Sequence, residues 1–209
     1  MKDSEDLGGG LHTLSKLESV CNLNNGRYSE SNTEFNRQAY VSLQSDQYGT
    51  VTLGRQYDSQ VDYLGPLSEA GSGFGNNLAA HPFDNDNLDH SFSLKNSVKY
   101  QSANYGGFKF GGLYGFSNDA GQFSNNRAWS AGASYSTGPL NFAASYLQIN
   151  SSRMANANGA VSAGASNNAN NLTAEQQRSF GAGVDYTYGP ATVGFVWTNT
   201  HYDNLIAAS

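Results

Sequence analysis

The chain is punctuated by connections of two very unequal kinds. Alternating, aromatic-rich segments of about ten residues are joined at one end by small Gly-centred turns and at the other by long polar loops. The turns are Asn104-Tyr105-Gly106-Gly107, Ser136-Thr137-Gly138-Pro139 and Tyr188-Gly189-Pro190. Period-two alternation specifies strands, because successive side chains of a strand point to opposite faces. Strand, short turn, strand, long loop is the rhythm of an antiparallel transmembrane β-barrel, whose strands need only about ten tilted residues to cross the hydrocarbon. No apolar run approaches the roughly 18 residues of a membrane helix, so any crossing is made by strands.

Composition agrees with a sheet that is wet on one side and apolar on the other. Hydrophobic residues make up only 38% of the 209 residues, yet aromatics reach 12%, with 24 Gly and 13 Tyr. This is too little aliphatic bulk for a large close-packed core and too much aromatic character for disorder. A net charge of -6 argues against a nucleic-acid partner, which calls for a basic stripe. Cys21 is the only cysteine, so neither an internal disulfide nor a four-cysteine metal site is available.

Chemistry-bearing motifs are weak. Gly71-Ser72-Gly73-Phe74-Gly75 lacks the strand, helix and spacing of a phosphate-cradling loop. Asp84-Asn85-Asp86-Asn87-Leu88-Asp89 opens like a calcium loop, but Asp89 stands where that motif needs Gly and Lys95 where it needs Glu. The four histidines show no metal-ligand spacing, and there is no nucleophile elbow or catalytic triad order. No enzyme activity and no cofactor are expected.

Nine strands are legible, near 11–22, 35–43, 50–57, 91–102, 108–117, 127–136, 140–150, 177–188 and 191–202. In the fifth, Phe108, Phe110, Tyr114 and Phe116 share one face and Lys109, Gly111, Leu113 and Gly115 the other. Tyr105, Phe108, Tyr135, Tyr186 and Tyr188 gather beside the short turns, as an interfacial girdle would. Charge on a lipid face costs about 2–4 kcal/mol near the midplane, which turns Arg37, Lys95, Lys99 and Lys109 toward the lumen. Arg55 shares parity with Val51 and Leu53, so it reaches the lumen only if Gly54 hosts a bulge or the strand ends there.

Two long loops stand out. Segment 151–176 is small and polar and reads as a solvated surface loop. Segment 58–90 carries six acids, Asp58, Asp62, Glu69, Asp84, Asp86 and Asp89, with no Lys or Arg. It also carries apolar anchors at Leu64, Leu67, Phe74, Leu78 and Phe83, and a long loop with its own apolar residues is packed onto something. In a barrel the available wall is the inside.

With these residues in view, the chain resembles the trimeric general porins of Gram-negative outer membranes. The resemblance rests on Ser4-Glu5-Asp6-Leu7-Gly8-Gly9-Gly10-Leu11, Phe35-Asn36-Arg37-Gln38-Ala39-Tyr40-Val41, Gly49-Thr50-Val51-Thr52-Leu53-Gly54-Arg55-Gln56-Tyr57 and Lys95-Asn96-Ser97-Val98-Lys99-Tyr100. It implies an all-β barrel of about sixteen strands, of which roughly nine are present, in contact with outer-membrane lipids and assembled as a homotrimer. It also implies passive diffusion of ions and small hydrophilic solutes past an inward-folding loop, which segment 58–90 would supply.

The basic wall would then be Arg37, Arg55, Lys95 and Lys99, facing the loop acids Asp58, Asp62 and Glu69. Lys95 stands where many relatives carry Arg, which keeps the charge and loses the planar fork. Against the family pattern, roughly two strands are absent before residue 6 and roughly five after residue 202. The chain thus reads as an internal fragment of the barrel, not expected to form a pore alone. The competing class is a soluble or surface-exposed β-sandwich that binds carbohydrate or acts as an adhesin through its long loops.

Overall fold

A computed structural model describes residues 1–21, 23–28, 34–72, 75, 78–118, 120–121, 123–150, 159–161 and 173–206. Ten strands form a single sheet in sequence order. They are β1 (Lys2–Gly8), β2 (Leu11–Glu18), β3 (Gln38–Ser45), β4 (Gly49–Gln56), β5 (Leu94–Gln101), β6 (Phe108–Gly115), β7 (Arg127–Thr137), β8 (Leu140–Asn150), β9 (Thr173–Tyr188) and β10 (Ala191–Ile206). Every neighbouring pair is antiparallel. Two packed sheets, as a β-sandwich requires, are not what these strands build.

The strand count corrects the sequence reading from nine to ten, and the extra one is β1. Its residues Lys2, Asp3, Glu5 and Asp6 are charged and every residue in it is exposed. No hydrophobic alternation exists there to read. It forms through backbone pairing with β2, from Lys2 opposite Lys16 to Gly8 opposite Leu11, across the Gly8-Gly9-Gly10 turn. An even count also orients the first and last strands antiparallel, so parity does not forbid closure. Among the described residues β1 and β10 do not pair, and the sheet is that of a partial, unclosed barrel.

One face of the sheet is bare and apolar. Val41, Leu43, Val51, Leu53, Phe108, Phe110, Phe142, Phe180, Phe195 and Trp197 are all exposed on it, as are Tyr105, Tyr135, Tyr186 and Tyr188 near the short turns. The opposite face buries Ser42, Thr52, Ser97, Lys99, Ser130, Ser145 and Ser179. This inverts the arrangement of a water-soluble fold and suits lipid outside and polar contents inside. Strands β9 and β10 are 16 residues each, longer than the roughly ten that a crossing needs.

Most of segment 151–176 lies outside the described residues. Its last four residues belong to β9, which starts at Thr173. Its middle is packed: the Ala160 N–H donates to the Asn126 carbonyl at 3.0 Å, and the Ala160 carbonyl accepts from the Lys95 N–H at 2.8 Å. Ala160 then joins Phe92, Leu94, Leu113, Ala128, Leu147 and Ile149 in a small apolar cluster.

Candidate functional site

The segment between β4 and β5 lies against the polar face of the sheet. It begins with a π-helical turn, Gln60–Leu64, continues through a 3-10 turn at Gly65–Leu67 and a short helix at Glu69–Ser72, and returns through a 3-10 turn at Pro82–Asp84. The wall it meets has been stripped of side chains to receive it. A Cβ at Gly132 of β7 would lie 2.5 Å from Cδ2 of Tyr63, and one at Gly181 of β9 would lie 2.3 Å from Cδ2 of Leu64. Glycine is required at both positions by close approach, not by backbone conformation. Tyr63 and Leu64 are 6% and 0% exposed in these seats, and Ala70, Leu88 and Ala143 complete the cluster.

Polar contacts fix the register of this docking. The Ser59 N–H donates to Ser130 Oγ at 3.0 Å, and the Ser130 hydroxyl reaches Ser59 Oγ at 3.0 Å. Gln60 spans two strands, donating from Nε2 to Ser179 Oγ at 2.9 Å and accepting at Oε1 from the Ser145 hydroxyl at 2.6 Å. Farther along, the Asn85 carbonyl accepts from Gln177 Nε2 at 2.8 Å and from Thr200 Oγ1 at 3.2 Å. Asp86 accepts from Thr198 Oγ1 at 2.6 Å and contacts His81 Nδ1 at 2.5 Å. Serine and threonine at inward positions of β7 to β10 thus act as hooks, each bond contributing about 1 kcal/mol net.

The two ends of the segment are clasped to each other. Asp58, fully buried, accepts from the Gln60 N–H at 2.7 Å and from Asn87 Nδ2 at 2.6 Å. Asn87 in turn donates to the Phe92 carbonyl and accepts from the Phe92 N–H, both at 3.0 Å. Burial pushes the Asp58 carboxyl up to about 6, opposed by N–H donors from Asn87, Gln60 and Val61. Asp84 is 3% exposed and accepts the Asp89 and Ser91 N–H groups.

The seven residues singled out from sequence do not gather into one cluster. Lys99 and Asp62 meet directly: the Lys99 ammonium donates to Asp62 Oδ2 at 2.7 Å and to the Tyr57 carbonyl at 3.0 Å. Burial raises the Asp62 carboxyl above the ordinary range, and the Lys99 charge pulls it part of the way back. Arg37 donates from Nε to the Tyr57 hydroxyl at 2.7 Å and lies 3.7 Å from Glu18, which also pairs with Lys16 at 2.9 Å. Arg55 is 7% exposed and donates to the Asn36 carbonyl. Its inward turn is made by a β-bulge between Gly54 and Gln56 in the β4–β5 register, with Gly54 at φ +132°.

Lys95 is half-buried at the start of β5. Glu69 is exposed on its short helix, in a recess with His81, Asp185 and Thr192. Asp58 is consumed inside the segment, as described. Among the apolar anchors expected, Leu64 and Leu67 do pack against the wall, whereas Leu78 and Phe83 are 99% and 55% exposed. Phe74 lies outside the described residues.

Sequence reading missed Tyr57, Gln60, Asn87, the serine hooks and Asp185. Asp185 could have been found by parity, because it follows Gln177, Ser179, Gly181 and Gly183 on the inward face of β9. Gly111, Gly132, Gly181 and Gly183 carry the sequence trace of the seat, as small residues on that same face.

A family model for Gram-negative porins matches residues 1–209. An outer membrane porin protein of Bordetella pertussis is 32% identical over 217 residues, covering 96% of this chain and 51% of that protein. Among solved structures, an anion-selective porin from Comamonas acidovorans superposes with a TM-score of 0.68 at 25% identity, covering 95% of this chain and 56% of that one. The chain therefore spans about half the length of these relatives. The inward-docked segment, the apolar outer face and these matches lead to one assignment: the chain belongs to the Gram-negative porin family of the outer membrane.

Proposed function

We propose that this chain supplies wall and constriction to a passive diffusion pore for ions and small hydrophilic solutes, assembled as a homotrimer in the full-length protein. The observation that carries this reading is the docking of segment 58–90 on the polar face, with Tyr63 and Leu64 seated against wall glycines. A segment held inside a barrel narrows it without chemistry, and the narrowed, hydrated passage sorts solutes by size and charge. Arg37, Arg55, Lys95 and Lys99 form the basic side of the constriction and Asp62 and Glu69 the acidic side, with Asp58 setting the base of the loop.

Ion preference follows the charges that remain available, not the count of acids in the loop. Asp58, Asp84 and Asp86 are buried and occupied, and Asp62 is paired with Lys99. Fewer loop acids then face the passage than the count of six suggests, which moves its preference away from cations despite the all-acidic loop. The description of the Comamonas acidovorans relative as anion-selective runs in the same direction. Planar-bilayer recording of the full-length protein tests both statements. Discrete ohmic steps with a reversal potential near zero in a potassium chloride gradient are expected, and absence of steps overturns the pore reading.

A further inference from the structure

Below the constriction, on the side of the short turns, the loop roofs a chamber of about 540 Å³. Asp62, Tyr63, Pro66 and Leu67 form its ceiling; Lys109, Ser134, Ser136, Asn141 and Asp185 are on its wall. This volume falls within the roughly 300–1,000 Å³ of small-molecule sites. Its two wall charges are on opposite sides. Register runs from Lys109 through Ser134, Ala143 and Gly183 in one row, and from Ser136 through Asn141 to Asp185 in the next. Three strand spacings and a two-residue offset separate the Lys109 and Asp185 backbones by about 16 Å.

Among the described residues neither charge has an ion-pair partner. Among the described residues Lys109 has no ion-pair or hydrogen-bond partner, and it is exposed. Asp185 accepts from Asn141 Nδ2 at 2.7 Å, a bond that orients the carboxylate and leaves its charge intact. The ceiling acid, Asp62, is already matched by Lys99. A cation and an anion are therefore held apart across a row of hydroxyls and an amide, beneath a roof whose one acid is already paired.

We propose that this chamber is a second selectivity point, a subsite for zwitterionic solutes of the amino-acid or short-peptide class. Lys109 takes the carboxylate, Asp185 takes the ammonium, and Ser134, Ser136 and Asn141 bond the groups between. The proposal rests on the pore reading above, and the two can fail separately. The arrangement lowers the barrier for a dipolar solute relative to a neutral one of equal size, because only the dipolar solute gains from both charges in a partly dehydrated space.

The test is liposome swelling and single-channel recording with the full-length protein, comparing diglycine with a neutral polyol of similar size. Lys109→Met and Asp185→Asn are each expected to lower the diglycine-to-polyol rate ratio about two- to fivefold, the effect of one partly exposed charge pair. They shift the reversal potential in opposite directions, toward cations for Lys109→Met and toward anions for Asp185→Asn. Lys109→Arg keeps the ratio. Normal single-channel conductance in each variant shows that it folds. A wild-type protein that conducts, with a rate ratio unmoved by both charge removals, overturns the subsite. A wild-type protein that does not conduct overturns the pore reading instead.

Discussion

Replacing Gly132 by alanine puts a methyl group where only the loop can give way. The three atoms nearest to the added Cβ are Tyr63 Cδ2 at 2.5 Å, Tyr63 Cγ at 3.0 Å and Ser59 Cβ at 3.2 Å, all of them in the docked segment. Carbon atoms rest about 3.5–4.0 Å apart, so the ring must retreat by about 1 Å. Tyr63 is 6% exposed and Ser59 is fully buried, so a retreat toward the chamber that Tyr63 roofs gives up the packing of the loop. Overpacking of this kind costs about 1–3 kcal/mol, or about 5- to 150-fold in the ratio of docked to undocked loop.

A thiol placed at Val61, which is 6% exposed, reports undocking through its alkylation rate in a Cys21→Ser background of the full-length protein. The rate rises by the same factor when reclosing outpaces labelling. Removing the ring relieves the clash, so Tyr63→Ala and Gly132→Ala together undock the loop less than the sum of their separate effects. Unchanged labelling in Gly132→Ala, or strict additivity in the double variant, would refute the glycine seat.

Other outcomes follow from the same contacts. Lys99→Met removes the cation from Asp62, leaving it only Gln101 Nε2 at 3.4 Å, and weakens docking at neutral pH by up to about 3–5 kcal/mol; the loss shrinks on acidification as Asp62 protonates, which the Val61 thiol assay reads directly. Asp58 is an acid whose carboxyl is raised by folding, so its contribution is complete below the unfolded value of 3.8 and is lost as pH rises through about 6. Loop docking therefore tightens from pH 7 to pH 4, by at most about 3 kcal/mol, and Asp58→Asn flattens that dependence in the same labelling measurement. The 209-residue segment by itself is expected to give no porin-size conductance in planar bilayers, because the edges of β1 and β10 would each leave backbone groups unpaired in lipid at several kcal/mol apiece. Full-size steps from the segment alone would sink that expectation.

The alternating strands were legible because each residue's face is set locally by the period of the backbone. For β6, the parity of Phe108, Phe110 and Tyr114 against Lys109 and Gly111 already separates lipid from lumen. Strand β1 was not legible, because Lys2–Gly8 is held by hydrogen bonds to β2 and carries no burial signal. Arg55 was half legible. Parity exposed the conflict, and Gly54 named the place where a bulge resolves it.

The sequence by itself determined the sheet, the direction of its faces and the presence of a long acidic loop with apolar residues of its own. Only the tertiary structure decided what those acids do. Asp58 and Asp84 serve as acceptors for N–H donors inside the docked loop, Asp86 accepts the Thr198 hydroxyl of β10, and Asp62 pairs with Lys99 from a strand 37 residues away. Leu64 found its seat on β9 while Leu78 stayed in the open, a difference that no local pattern contains. A strand's period is a property of neighbouring residues, whereas a charge or an apolar side chain takes its role from whichever distant groups the fold brings against it.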